Sequence, residues 1–294
     1  MSNFLAYTVN GLVLGSTYAL TAIGYSMVYG ILELVNFTHS TIYMVGAYLF
    51  YIFVSIFHIP MALSFVLCVA ATGILGALNE RLTIRPLRLK NQPKFAMLIC
   101  TIGTSIVLQN SFFLLMGSET RQYPTIAEGK SIALLGFNVS IVQIVIVFST
   151  IVLLIAFTLF INKTKIGMAT RACAQDATAT ELMGISVDRI ISLTFFIGSA
   201  LAAVAGVMGC MSYRSVDCSI GAAIGTKTFA STVLGGIGVF LGGVIGGLII
   251  GLTEVYTAAY IGSSYRNIPA FVILIVILFV KPNGLLGKKV LKKV

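Results

Sequence analysis

The chain has 294 residues, of which 58% are hydrophobic and only 10% are charged, and its formal net charge is +10. Soluble domains carry about 25% charged residues, so this composition excludes a soluble enzyme, a secreted disulfide scaffold and a disordered chain. We therefore expect an all-α, polytopic integral membrane helix bundle, with residues 1–294 forming a single transmembrane domain.

About nine apolar segments follow one another along the chain, most of them near the length that a helix needs to cross a bilayer. They cover residues 4–29, 41–57, 59–79, 95–117, 140–161, 190–212, 228–239, 241–260 and 268–280. The seventh and ninth are short for complete spans, and residues 34–40 are interpreted as a helix break within the membrane. The pattern predicts about 8–10 transmembrane segments, including short or broken helices.

Most of the Lys and Arg residues fall in three stretches, which are residues 81–94, residues 162–189 and the tail from 281 to 293. Basic residues concentrate in cytoplasmic loops of membrane proteins. We therefore place these three stretches, including the C-terminus, in the cytoplasm. The loop 118–137 has no net charge and is predicted to lie outside, and counting spans from it places the N-terminus outside.

Small residues recur at spacings that place them on one face of a helix. Helices in lipid associate by close approach over such residues, so the spacing predicts helix packing within the bundle. A subunit interface that slides during transport is the alternative. The candidate packing residues are Gly11, Gly15, Gly206, Gly243, Gly247 and Gly251.

The sequence contains few residues that could form a nucleotide-binding, metal-binding or catalytic site. The stretch GAAIGTKT, beginning at Gly221, lacks the Gly directly before Lys227 that a phosphate-binding loop requires, so we expect Lys227 to snorkel or to cap a helix end. Two His and scattered Cys residues make no metal set, and we predict neither a metal site nor catalytic residues. The Cys residues are interpreted as apolar filler, with a Cys210–Cys218 bridge as the alternative.

Glu33 and Glu254 are the acids that lie between spans without a charged neighbour. Proton-coupled carriers usually place a carboxylate within a span. A relay between Glu33 and His39 is therefore a second hypothesis for how transport could be driven.

The stretch from Arg171 to Ile185 is rich in Ala, mildly amphipathic and too polar to span a membrane. Gly184 stands where a helix would end. We expect one short cytoplasmic helix parallel to the membrane, and a surface helix without a partner is the alternative.

Several motifs give the chain a family resemblance. They are NGLVLGSTYAL from Asn10, GYSMVYG from Gly24, NFTH from Asn36, YMVG from Tyr43, RACAQD from Arg171, LMGI from Leu182, VLGGIG from Val233 and KPNGLLG from Lys281. In order and spacing they resemble the permease subunits of bacterial branched-chain amino acid ABC importers. The first-permease type of the leucine, isoleucine and valine uptake system is the most similar. Ser40 departs from the Gly that usually follows the His.

The resemblance implies a transport subunit rather than an enzyme, located in the bacterial cytoplasmic (inner) membrane. It would form half of the translocation pathway for amino acids of the branched-chain type. The implied partners are a second homologous permease, two cytoplasmic ABC ATPase subunits and an extracytoplasmic substrate-binding protein, with no nucleic acid. The ATPase subunits would bind ATP and Mg, and this chain would bind no cofactor.

The resemblance also implies roles for two groups of residues. The segment that docks on the ATPase would contain Arg171, Ala172, Ala174, Asp176, Glu181, Leu182, Gly184 and Ile185. The helix break lining the translocation path would contain Asn36, Phe37, His39 and Ser40. An ion- or proton-coupled secondary transporter of small amphipathic solutes is the alternative, and a membrane enzyme is a third hypothesis for which the chain offers no nucleophile–base set.

Overall fold

Eight helical segments of the described chain are long and apolar enough to cross a bilayer. The computed structural model describes residues 2–126, 131–134 and 137–287. The eight segments are Asn3–Leu32, Thr38–Ile56, Met61–Leu89, Lys94–Met116, Ile141–Lys163, Val187–Tyr213, Phe240–Tyr260 and Ser263–Val280. The prediction of an all-α membrane bundle is confirmed.

The helices are α1 Ser2–Leu32, α2 Thr38–Tyr51, α3 Met61–Asn79, α4 Arg85–Leu89, α5 Lys94–Met116, α6 Ile141–Lys163, α7 Lys165–Gln175, α8 Ala177–Leu182, α9 Val187–Tyr213, α10 Ile220–Gly235, α11 Phe240–Tyr260 and α12 Ile268–Val280. The π-helical segments Ile52–Ile56 and Glu80–Ile84 extend α2 and α3, and a 3-10 turn, Ser263–Tyr265, precedes α12. Strands β1 Arg121–Gln122 and β4 Ser215–Val216 pair antiparallel, as do β2 Ser131–Leu134 and β3 Phe137–Ser140.

Helix α10 corrects one predicted boundary. The seventh apolar segment was expected to begin at residue 228, whereas the helix begins at Ile220 and contains Lys227. Lys227 interrupts the apolar run in the sequence and so appeared to mark its boundary. In the structure the Glu254 carboxylate pairs with Lys227, and the helix continues through it. The helix ends at Gly235 because Gly236 takes a positive φ of 107°, a conformation that Gly adopts readily.

The chain passes alternately between two ends of the bundle. One end, here called the hairpin end, carries the β1–β4 pair, where Gln109 Nε2 donates to the Cys218 carbonyl at 3.0 Å. The other, the basic end, joins Lys94 to Glu33 and the Leu285 amide to the Leu234 carbonyl. Predicted charged residues outside the described chain are Glu128, Lys130, Lys288, Lys289, Lys292 and Lys293.

Helix α1 lies at the centre, with 94% of its most apolar window buried, whereas the corresponding windows of α5 and α12 are only 6% and 11% buried. Its glycines face those of α11. A Cβ on Gly15 would lie 2.8 Å from Leu248 Cα, and one on Gly247 would lie 2.5 Å from the Ala19 nitrogen. Backbones in lipid approach this closely only over small residues. Gly11, Gly243 and Gly251 lie at the same α1–α11 contact, and Gly206 faces α2 at Tyr43.

Candidate functional site

The predicted helix break between α1 and α2 is shorter than the sequence suggested. The chain leaves α1 after Leu32, where Glu33 takes a positive φ of 48°, and α2 begins at Thr38. The Asn36 side chain accepts a hydrogen bond from the Thr38 amide at 3.2 Å. This Asx turn starts the helix early, so His39 and Ser40 lie in the first turn of α2 rather than in the break.

The four predicted path residues do not share one environment. Asn36, His39 and Ser40 are buried inside the subunit. Phe37 is half-buried, and its ring centroid lies 6.2 Å from that of Phe229 on α10. Of the four, Phe37 is the one that this subunit leaves most accessible.

His39 fills the space between α1 and α2. Its Nε2 lies 3.2 Å from the Thr21 carbonyl oxygen, and its ring meets the Tyr25 ring edge-on at 4.9 Å. A Cβ on Gly24 would lie 2.5 Å from the imidazole, so the glycine makes room for the ring. Glu33 instead pairs with Lys94 at 2.5 Å, and both side chains are mostly exposed. The structure does not bring Glu33 and His39 together as a relay.

A polar seam joins the start of α2 to α5. The Thr38 hydroxyl donates to the Thr101 carbonyl at 2.8 Å, and the hydroxyls of Thr41 and Ser105 are 2.5 Å apart. Helix α10 also packs against α2. The accessible surface over these three helices combines aromatic rings with small polar groups. We define the path face as Phe37, Ser105, Gln109, Thr226 and Phe229, which are half-buried except for the exposed Thr226.

At the basic end, the predicted single helix over residues 171–185 is wrong, because the structure has two helices that meet at Asp176. Its backbone is extended there (φ −158°, ψ 105°), and its carboxylate accepts the Ala179 amide at 2.9 Å. An Asp side chain satisfies helix-start amides better from an N-cap position than from a helix interior. Gly184 has φ +81° and ends the segment as the sequence predicts.

The predicted coupling residues mostly face solvent. Leu182 and its neighbour Met183 are 84% and 81% exposed. Cys173 is buried against Thr180, and burial raises the pKa of its thiol, so α7 and α8 hold each other through their inner faces. Arg171, Ala174, Asp176, Glu181 and Gly184 are exposed, while Ala172 and Ile185 are half-buried.

An ion cluster next to α8 was not predicted from the sequence. Asp188, in the first turn of α9, accepts Arg85 at 2.5 Å and Arg88 at 2.6 Å. Arg88 also reaches the fully buried Glu80 at 3.4 Å, and Glu80 accepts the Ser192 hydroxyl at 2.5 Å. These five residues, here called the basic-end cluster, fix the start of α9 to the ends of α3 and α4.

A second buried cluster centres on Glu254 of α11. Its Oε1 accepts Lys227 Nζ at 2.6 Å and Arg266 Nη2 at 2.7 Å, and its Oε2 accepts the Tyr18 hydroxyl at 2.7 Å. Arg266 also donates to the Tyr213 hydroxyl at 2.9 Å. These five residues form the Glu254 cluster, which ties together α1, α9, α10, α11 and the segment before α12.

Two expectations are corrected by this region. The Lys227 side chain is 8% exposed and pairs with Glu254, so the prediction that it snorkels or caps a helix end is wrong. An unpaired cation at membrane depth is costly, and the pairing removes that cost.

Cys210 and Cys218 are both free, and the Cys218 thiol lies 3.3 Å from the Tyr48 hydroxyl. The alternative of a disulfide bridge is therefore also wrong. Within the described residues, no three His, Cys, Asp or Glu side chains cluster as metal ligands would.

Comparison with known proteins identifies the family. The family profile described as "Branched-chain amino acid transport system / permease component" matches residues 7–280. The high-affinity branched-chain amino acid transport permease BraD of Pseudomonas aeruginosa is 40% identical, with 99% of this chain and 98% of the relative covered. LivH of Escherichia coli K12 is equally similar over the same shares.

A solved structure shares the fold. PsaBC from Streptococcus pneumoniae in complex with Fab matches 93% of this chain and 91% of its own with a TM-score of 0.53 at 13% identity. The sequence matches span nearly the whole chain. The chain therefore belongs to the family of permease components of branched-chain amino acid transport systems.

Proposed function

We propose that this chain is the permease subunit of an ABC importer and forms half of the translocation pathway for branched-chain amino acids. The observation that carries the proposal is the exposed α7–α8 segment beside the basic-end cluster, in a chain that belongs to this permease family. Two cytoplasmic ATPase subunits would bind ATP and Mg and supply the energy, and this chain would bind no cofactor.

The α7–α8 segment is suited to transmit a conformational change of an ATPase to the membrane helices. Leu182, the last residue of α8, and Met183, which follows it, offer exposed apolar side chains, and exposed apolar groups of this kind mark interaction sites. The chain then continues within a few residues to Asp188, which is bonded to Arg85 and Arg88. A displacement of α8 would therefore move α9 together with the ends of α3 and α4.

A second homologous permease would close the pathway over the path face. Helix α5 exposes Asn110 and Ser111, whose side chains donate hydrogen bonds to the Ile106 and Val107 carbonyls of their own helix. By contrast, every side chain of α12 is apolar, as lipid contact favours. The polar groups on α5 support a protein partner there, because lipid offers them no hydrogen bonds.

The path face suits a zwitterion with an apolar side chain. The rings of Phe37 and Phe229 would contact the aliphatic group, and the polar groups of Ser105, Gln109 and Thr226 would face the charged groups. An extracytoplasmic binding protein would deliver the amino acid to the hairpin end. This arrangement requires the basic end to lie in the cytoplasm, with the chain in a bacterial cytoplasmic membrane.

The function can be tested by reconstituting the complete complex in liposomes. We expect leucine uptake to require the binding protein and internal ATP, and the purified chain alone to hydrolyse no ATP. Because Glu33 pairs with Lys94 on the surface, Glu33→Gln is expected to leave uptake unchanged. Uptake driven by an ion gradient without ATP, or loss of uptake in this variant, would instead support a secondary carrier.

A substitution at the last residue of α8 tests the docking site. We expect Leu182→Asp to lower ATP-dependent uptake roughly tenfold or more, since a charge would replace an apolar anchor at the centre of an interface. Thermal stability should not change, because the side chain is 84% exposed. Gly184 is less suitable, since its φ of +81° would strain any other residue.

The matched control for this experiment is Leu89→Asp. Leu89 is 64% exposed and also lies at the basic end, but on α4 rather than α8. Uptake and ATPase activity of both variants should be measured in the reconstituted complex. Equal uptake for Leu182→Asp and the unmodified complex would remove α8 from the ATPase interface.

A further inference from the structure

An apolar groove of about 240 Å³ lies between α6 and α9, away from the path face. Every side chain that lines it is a hydrocarbon, so it offers no site for a polar substrate. The lining residues are Leu153, Ala156, Phe157, Phe160, Ile197 and Leu201. The α6 residues fall in the half of the helix that leads to the basic end.

Cations stand where the groove reaches the basic end. Lys163 follows Phe160 by three residues, about 4.5 Å along the helix axis and on the same side of α6, whereas Arg189 precedes Ile197 by about 12 Å along α9 and lies about 80° around that helix from it. Lys165 begins α7 directly beyond α6. All three side chains are exposed, and none of them makes an ion pair with a residue in the described part of the chain.

We propose that this groove binds one acyl chain of an anionic phospholipid, whose phosphate is held by Lys163, Lys165 and Arg189. The apolar lining lies towards the membrane centre, where the acyl chain of such a lipid lies. The cations lie at the membrane surface, where its charged headgroup lies. Basic pockets between membrane helices recognise anionic headgroups in this way.

The three cations Lys163, Lys165 and Arg189 favour a lipid over a protein as the occupant of the groove. A second permease of this family would approach the polar face of α5, and a related subunit would bring its own basic end alongside these three cations. An anionic headgroup neutralises them instead. The bound lipid would contact α6, α7 and α9, the helices that connect the docking segment to the bundle.

The absence of Trp from the chain allows a direct test. Phe160→Trp places a single fluorophore in the groove, and quenching by lipids with brominated acyl chains reports their occupancy. In the full chain reconstituted in phosphatidylcholine, brominated phosphatidylglycerol should quench this residue at a lower mole fraction than brominated phosphatidylcholine. Phe148→Trp is the matched control, because Phe148 is 67% exposed on the same helix but lies fifteen residues before Lys163, and it should show no such preference.

Removal of the cations should abolish the preference. In the Phe160→Trp background, Lys163→Gln with Arg189→Gln is expected to weaken the relative affinity for phosphatidylglycerol roughly thirtyfold, since each cation near the surface contributes about one kilocalorie per mole. Lys90→Gln with Lys281→Gln removes the same charge elsewhere at the basic end and should leave the preference intact. Equal quenching by both lipids at residue 160, or a preference that survives loss of Lys163 and Arg189, would overturn the proposal.

Discussion

Glu254→Gln is expected to lower the free energy of unfolding by about 3–5 kcal/mol, because it removes a carboxylate that neutralises two cations. Lys227 lies within 2.6 Å of this carboxylate and is almost fully buried. The amide would keep the acceptor for the Tyr18 hydroxyl but not the negative charge. Thermal unfolding of the purified chain in detergent would measure the loss.

Two further variants test whether the loss of stability comes from the burial of the Glu254 charge. Glu33→Gln removes a carboxylate that also pairs with a lysine, but the Glu33 side chain is 71% exposed, so we expect a change within about 1 kcal/mol. Lys227→Met combined with Glu254→Leu should recover part of the lost stability, since it removes the buried cation together with its carboxylate. The Arg266 side chain, which is 39% exposed, keeps its charge and the Tyr18 hydroxyl loses its acceptor, so the recovery should be incomplete. Equal stability of Glu254→Gln and Glu33→Gln would show that the Glu254 cluster contributes nothing through its charge.

Gly247→Ala is expected to destabilise the bundle by about 1–3 kcal/mol through overpacking. The added Cβ would lie 2.5 Å from the Ala19 nitrogen and 2.8 Å from Ala19 Cα. Backbone atoms in the middle of α1 cannot move aside individually, so α1 and α11 would have to separate. Thermal unfolding and the yield of assembled complex would both report the change.

The control is Gly103→Ala on α5. A Cβ at this position meets no atom within 4 Å, and Ala is the better helix former by about 1 kcal/mol. We therefore expect Gly103→Ala to be neutral or slightly stabilising. A similar loss of stability in both variants would mean that the loss does not come from overpacking at the α1–α11 contact.

Features of one helix could be predicted from the sequence because they are local. The spacing of Gly243, Gly247 and Gly251 defines a face of α11 without knowledge of its neighbour. Gly184 marks a helix end by its own conformational freedom. The break at Asp176 was also readable in principle, since an Asp followed by good helix residues is an N-cap signal, but the Ala-rich composition on both sides favoured a continuous helix.

Features that join distant helices could not be predicted in this way. Lys227, Glu254 and Arg266 lie on separate elements, and no periodicity in the sequence indicates that their side chains meet. The same holds for Asp188, whose partners Arg85 and Arg88 are about one hundred positions earlier in the chain. A charge inside an apolar run indicates that a partner exists, but only the fold identifies it.

The central position of α1 has a consequence for biosynthesis. This helix leaves the ribosome well before α11, since the glycine face of α11 that covers it is made more than two hundred residues later. Until then the close-packing surface of α1 has only lipid or an insertion factor against it. The helices can insert into the membrane one at a time, but the native core forms only after α11 has been made. Chains truncated before α11 therefore present an unfilled core to membrane quality-control proteases.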